Sequence, residues 1–247
     1  MTPSHSDMMF SVVMPAYNEE AVIETTITEL CAHLDGAGYR YEIIVVDDAS
    51  QDQTADILKT LSRRLPQLRA IHNPGPNGYG FAIQKGLNVY KGDAVVIVTS
   101  DGADSPKDVA AYFDAILSGA DCAFGMRFGS DSTVKGYPPF KKLLNRGANW
   151  IVGRLAGSDY RDFTNGFKCY RRDVVDAMLP IISGQFNITI EMSLKAVLEG
   201  WKVTVVPNDW HQREGGQSSF HIRKLIRPYA ATLLYCLNQH YIKSIRR

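Results

Sequence analysis

Three apolar runs, each breaking off into an acidic or polar turn, constrain this chain more than any other feature. Residues 94–99 (AVVIVT) end in Ser100-Asp101-Gly102-Ala103-Asp104, and residues 10–14 (FSVVM) run into Pro15-Ala16-Tyr17-Asn18-Glu19-Glu20. Residues 41–46 (YEIIVV) end in Asp47-Asp48. Helical stretches separate the runs, so the pattern is an open α/β sheet, in which ligands bind at the carboxyl ends of the strands. Strands that deliver acids to that edge suit a hard cation holding a phosphorylated ligand. Oxygen ligands hold Mg²⁺ or Mn²⁺, and phosphates complete the shell. Asp47 and Asp48 also read as the N-cap and first-turn acid of the next helix, although a cap needs only one of them.

Breakers and periodicity order the rest. A helix is expected over 20–34, closed by Gly36 and Gly38, and another over 54–64, stopped by Pro66. A short strand at 69–72 enters a turn-rich loop at 73–78 (NPGPNG), followed by a helix over 79–90. Pro106 opens a helix over 106–118, and a strand follows at 121–125. An amphipathic helix with a basic first turn spans 140–155. Helices at 172–179 and 190–199, a strand at 202–206 and a helical tail at 222–242, interrupted at Pro228, complete the chain.

The 247 residues, 45% of them apolar, can bury a full core. A net charge of +1, with no Lys/Arg run, gives no reason to expect a nucleic-acid partner. Cys31, Cys122, Cys169 and Cys236 are scattered, which reads as buried thiols in a reducing compartment, not as a disulfide framework or zinc site. The first residues lack the charged start and apolar core of a signal peptide. No apolar stretch reaches the ~18–20 residues of a membrane span. The expectation is a cytoplasmic protein with peripheral membrane contact.

Eight motifs in order carry a family resemblance: VVMPAYNEE at 12–20, EIIVVDDASQDQT at 42–54, NPGPNGYGFAIQKG at 73–86 and TSDGADSP at 99–106, then GMRF at 125–128, FKKLLNRGAN at 140–149, DFTNGFKCYRRDV at 162–174 and REGGQSSF at 213–220. The chain resembles the inverting glycosyltransferases with the GT-A fold. Within them it is similar to the dolichyl- or polyprenyl-phosphate mannosyltransferases and their bacterial relatives. The resemblance implies a Rossmann-like, open and mostly parallel sheet flanked by helices, with C-terminal amphipathic helices. It implies a catalytic domain over 1–220 and a helical tail over 221–247 that packs on the domain or on a membrane surface. The implied reaction moves a hexosyl group, mannose or glucose first, from a GDP- or UDP-sugar to a polyprenyl phosphate. Inversion, a Mg²⁺ or Mn²⁺ cofactor and a place at the cytoplasmic membrane face come with it.

By the same resemblance Pro15, Tyr17, Glu19, Val46, Asp48 and Ser100 line the donor pocket. A strand-end carboxylate can accept from a base imino group or a ribose hydroxyl, while an aromatic ring stacks on the base; Tyr17 also reads as a half-buried packing residue. Gly78, Gly80 and Gly86 are spaced G-x-G-x5-G and read as turn and packing glycines, not as a phosphate loop. Asp101 is the expected metal ligand. The family's Asp-x-Asp has Thr99 at its first position here, and Ala103 stands where relatives often carry Gln, so Asp104 is the candidate second ligand. Arg127 matches the arginine of a Gly-Ser-Arg triplet and Arg213 that of an R-x-x-G-x-S segment. Both guanidiniums can fork onto the leaving diphosphate, and with Asp101 they form the expected catalytic set. Ser219 replaces a family lysine, with His221, Arg223 and Lys224 near enough in sequence to substitute.

On the acceptor side, Lys141, Lys142 and Arg146 can share a helix face beside Phe140, Leu143 and Leu144. That is the layout of an interfacial helix, or else of a solvated basic face on a core helix; the resemblance favours the membrane. Asp162 matches a segment that closes over the donor sugar and equally suits an Asx turn before Asn165-Gly166. Glu191 reads as a structural acid. A lipid monophosphate, with a second pKa of about 6, is largely a dianion at neutral pH and needs no general base. Two alternatives stand beside this reading. One is a transferase acting on a glycan hydroxyl, with Asp162 as base. The other is a non-catalytic nucleotide-sugar-binding protein, suggested by Thr99 and opposed by Asp48, Asp101, Arg127 and Arg213 occurring together.

Overall fold

The computed structural model describes residues 7–129, 131–211 and 222–246. The first half contains β1 (Met9–Ala16), α1 (Ile23–Gly36), β2 (Arg40–Asp47), α2 (Thr54–Arg64), β3 (Leu68–His72), α3 (Tyr79–Leu87), β4 (Ala94–Ile97) and α4 (Pro106–Leu117). The second half contains β5 (Cys122–Met126), β6 (Val134–Lys135), α5 (Pro139–Leu155), β7 (Lys168–Arg171), α6 (Arg172–Met178), α7 (Ile188–Leu198), β8 (Val203–Pro207), β9 (Trp210–His211) and α8 (Ile222–Arg246).

Side chains alternate across each central strand, and both sides are covered. Phe10, Val12 and Met14 of β1 join Ile23, Ile27, Val109 and Phe113 in one core. Val13 points the other way, into a second core with Ile44, Val46 and Ile83. Double burial is why these strands read as continuous apolar runs instead of alternating ones. Gly86 of α3 lies on Val13, where an added Cβ would fall 2.5 Å from a Val13 methyl; its expected packing role is what the fold requires.

Seven strands form one sheet in the order β3-β2-β1-β4-β7-β5-β8, and β6 pairs with β9. The large sheet is parallel except for β7, which runs antiparallel to both β4 and β5. Lys168 pairs with Ile97 on one side and Phe124 on the other. The start of β7 therefore meets the ends of β4 and β5, and the loop before it reaches the ligand-binding edge.

The sequence reading missed β7, because only Cys169 and Tyr170 of its four residues are apolar. Other differences have local causes. The carbonyl of Glu19 accepts from the amides of Val22 and Ile23, so a turn precedes α1, which starts at Ile23 instead of residue 20. Neither Asp47 nor Asp48 caps α2: its N-cap is Gln53, with no side-chain cap, and Asp52, one residue earlier, accepts from the Thr54 amide at 3.0 Å. The third helix stops at Leu87, short of residue 90, and α8 runs unbroken through Pro228. That last helix packs on α7, burying Thr232 and Cys236. No described helix is long and apolar enough to cross a membrane.

Candidate active site

The turn after β4 is built around Thr99. Its amide and its hydroxyl both donate to Asp104 Oδ2, at 2.7 and 2.8 Å. The residue standing where relatives carry a first acid thus holds the supplementary acid in place. Asp101 Oδ1 accepts from the Ala103 amide at 3.2 Å, and Gly102 supplies the positive φ that the turn requires. Burial, with the neighbouring Asp101 charge adding to it, pushes the Asp104 carboxyl up to about 7. Tyr79 faces the same acids: burial first, then Asp104 and Asp101, raise its hydroxyl far above the usual phenol value, so it stays protonated.

These two carboxylates fit a divalent cation. Each keeps one oxygen without a hydrogen bond among the described residues, and carboxylate oxygens are the donors Mg²⁺ and Mn²⁺ prefer. The described residues contain no group of three or more metal-ligating side chains. Asp101 and Asp104 would therefore leave much of the shell to ligand oxygens.

On the donor side, Tyr17 is 53% exposed at the end of β1 and free to stack. Ser100 is buried and donates to the Pro15 carbonyl at 2.8 Å, tying the ends of β4 and β1 together. The Glu19 amide donates to Thr54 Oγ1. Val46 is wholly buried in the second core, so its side chain packs and offers a ligand nothing. Asp48 is buried and already accepts from Asn73 Nδ2 at 2.7 Å, Asn77 Nδ2 at 3.2 Å and the Gly78 amide at 2.7 Å. It anchors the 73–78 loop, a role that the sequence did not signal.

Arg127 sits at the end of β5, locked to Asp162. Its backbone amide and Nε donate to Oδ2 at 3.0 Å each, and Nη2 donates to Oδ1 at 2.7 Å. Burial disfavours the guanidinium charge, but Asp162 overrides it and raises the pKa further. Nη1 alone has no partner among the described residues and is the nitrogen left for an anion. Asp162 has no exposed side-chain surface and both of its oxygens accept from Arg127. The Asx turn expected there is not formed, because both Asp162 carboxylate oxygens go to Arg127; a backbone turn takes its place, with the Asn165 amide donating to the Asp162 carbonyl.

The 162–166 loop is fastened from three sides. Lys168, 1% exposed, donates to the carbonyls of Phe163 and Asn165, and burial lowers its amine to about 7. Asn165 Nδ2 donates to the Gly125 carbonyl and to Asn208. From α5, Asn145 and Asn149 donate to Thr164 Oγ1 at 2.9 and 3.0 Å. Glu191 accepts from the amides of Ile182 and Ser183 and from Lys195, which is a structural role.

Helix α5 is amphipathic in an unusual sense. Its inner face carries Asn149, Val152 and Gly153, while Phe140, Leu143, Leu144, Trp150, Ile151 and Leu155 are all exposed. Of the three expected cations, Lys142 and Arg146, one turn apart, both meet Phe128: Lys142 lies over its ring at 5.3 Å. Arg146 lines a cavity of about 290 Å³ with Met126, Phe128, Trp150 and Arg161. The sequence reading overlooked Arg161, although its place beside Asp162 in the DFTNG segment pointed to it. Arg213, Ser219 and the alternatives at 221 to 224 fall where the structure describes no side chains.

A family model described as glycosyl transferase family 2 matches residues 11–179. The dolichol-phosphate mannosyltransferase of Pyrococcus furiosus is 33% identical over 216 residues, 85% of this chain but only 59% of that protein. The chain thus spans less than two thirds of that relative. The polyprenol monophosphomannose synthase of Mycolicibacterium smegmatis is 28% identical, over 84% of this chain and 79% of that one. Among solved structures, glucosyl-3-phosphoglycerate synthase from Mycobacterium tuberculosis, in complex with Mn²⁺, uridine diphosphate and phosphoglyceric acid, superposes with a TM-score of 0.70. It is 20% identical and covers 93% of this chain and 78% of its own, a likeness of GT-A fold.

Proposed function

The chain belongs to glycosyl transferase family 2, and on that premise we propose that it transfers a hexosyl group from a nucleotide sugar to a polyprenyl phosphate at a membrane surface, with inversion. The observation that carries the lipid half of this reading is α5. A helix that buries Asn149 and Val152 while exposing six large apolar residues leaves most of its apolar surface uncovered, and a lipid surface covers such a face. The Arg146 and Arg161 cavity opens beside that face, where an acceptor phosphate entering from lipid would meet two guanidiniums.

Each residue then has a limited task. Tyr17 stacks on the base, and the turn at Thr99–Asp104 faces the diphosphate. A divalent cation held by Asp101 and Asp104 would neutralise charge on the leaving diphosphate. Arg127, oriented by Asp162, presents Nη1 to developing phosphate charge. The acceptor phosphate brings its own negative oxygen to the anomeric carbon, so no side chain has to remove a proton. Catalysis on this account is alignment and charge stabilisation. A hydroxyl acceptor would need a base, and Asp162, the candidate for it, is spent on Arg127. A thermal-shift panel of GDP- and UDP-hexoses with Mn²⁺ tests the donor half, because a specific ligand raises the melting temperature by mass action. One donor stabilising the protein only with metal present is expected; no shift with any donor would contradict the reading.

A further inference from the structure

Tyr79 is the side chain at the edge of the sheet that neither the packing nor the proposed roles use up. It opens α3 directly after Gly78, and its ring is stacked on Phe186 with centroids 4.6 Å apart and planes 16° from parallel. The stack fixes the direction of the hydroxyl. That hydroxyl reaches the 162–166 loop: a Cβ added at Gly166 would lie 2.7 Å from it, so the oxygen occupies space that any other residue at 166 would fill. Asp104 and Asp101 are the first charges that act on it. It makes no hydrogen bond among the described residues. A phenol hydroxyl, able to donate and accept, is therefore held against the loop that α5 clasps.

We propose that the Tyr79 hydroxyl hydrogen-bonds a hydroxyl of the hexose being transferred and helps to select which hexose is accepted. The inference rests on the transferase reading and deepens it. With the diphosphate at the acidic turn and the acceptor arriving from α5, the sugar joining them lies between these two elements, where Tyr79 stands. A site built to pair a substrate hydroxyl discriminates against sugars that lack it or turn it away. A tyrosine that served only to stack on Phe186 would be replaced by phenylalanine without effect.

Tyr79→Phe removes the oxygen and keeps the stack. Calorimetry with Mn²⁺ would compare the nucleoside diphosphate with the corresponding nucleotide hexose, on wild type and variant. The variant is expected to bind the nucleoside diphosphate as wild type does and the nucleotide hexose about threefold to tenfold more weakly, the effect of one net hydrogen bond. Its kcat/KM ratio between epimeric donors should also narrow. Unchanged binding of both ligands, with an unchanged donor ratio, would overturn the assignment while leaving the transferase reading intact. A wild type that binds neither ligand would overturn both.

Discussion

Thr99 stands where the family resemblance puts an acid, and on the proposed reading it compensates for that acid through its neighbour. By fixing Asp104 with two hydrogen bonds, it turns an acid five residues on toward the place left by the missing one. Asp101→Asn should therefore abolish metal-dependent nucleotide-sugar binding while leaving the melting temperature of the unliganded protein within a few degrees. Asp104→Asn should weaken the same binding by less; metal titrations followed by calorimetry separate the two. Equal metal response in wild type and Asp101→Asn would remove the metal assignment.

Two buried charges make further predictions. Removing Asp162 strands the Arg127 guanidinium, and breaking one side of a buried pair costs about 3–5 kcal/mol. Asp162→Ala should lower unfolding stability by that order in denaturant titration, so lost activity in this variant reports the fold and not a missing base. Lys168 is held near 7 by burial, well below the ~10.4 of a free lysine. Between those values the unfolded chain binds more protons, so this group makes stability rise with pH across about 7 to 10. Lys168→Met should flatten that rise relative to wild type; an identical pH slope in both proteins would contradict the assignment. None of these three residues was fully legible in the sequence. Asp104 read as a second metal ligand but not as held by Thr99, Asp162 read as a turn starter or a base but not as the partner of Arg127, and Lys168 drew no reading, because each role depends on a partner the fold supplies.

Among the elements, strands buried on both faces were legible because burial forces an unbroken apolar run, as in β1, β2 and β4. The antiparallel β7 was not, since its burial comes from four residues lying between two strands distant in sequence. Helix α5 was half legible: its basic and apolar residues stand out in sequence, but only packing shows that asparagines point inward and that Lys142 lies over Phe128. On the proposed membrane role, juxtamembrane cations contribute about 1 kcal/mol each on anionic lipid and are screened by salt. Lys141→Glu with Lys142→Glu should reduce sedimentation with anionic vesicles at low salt. Leu143→Ser with Ile151→Ser should reduce it at high salt as well, because apolar insertion is not screened. Full vesicle binding by both double variants would exclude α5 as the contact.

At the scale of the whole molecule, one antiparallel insertion organises the site. Because β7 enters against the grain between β4 and β5, the loop before it lands at the same edge as the acidic turn, and α5 leans on that loop through Asn145 and Asn149. On the proposed reading, the donor side, the transfer point and the lipid-facing helix would follow one another along that edge. The measurement that tests this account most directly is transfer itself: purified protein, Mn²⁺, a hexose-labelled nucleotide sugar and a polyprenyl phosphate in anionic vesicles. The account predicts label in the organic phase as a lipid-linked hexosyl phosphate of inverted anomeric configuration, with transfer dependent on Asp101. Label that goes only to a free glycan hydroxyl, with none on the lipid phosphate for any donor the protein binds, would contradict it.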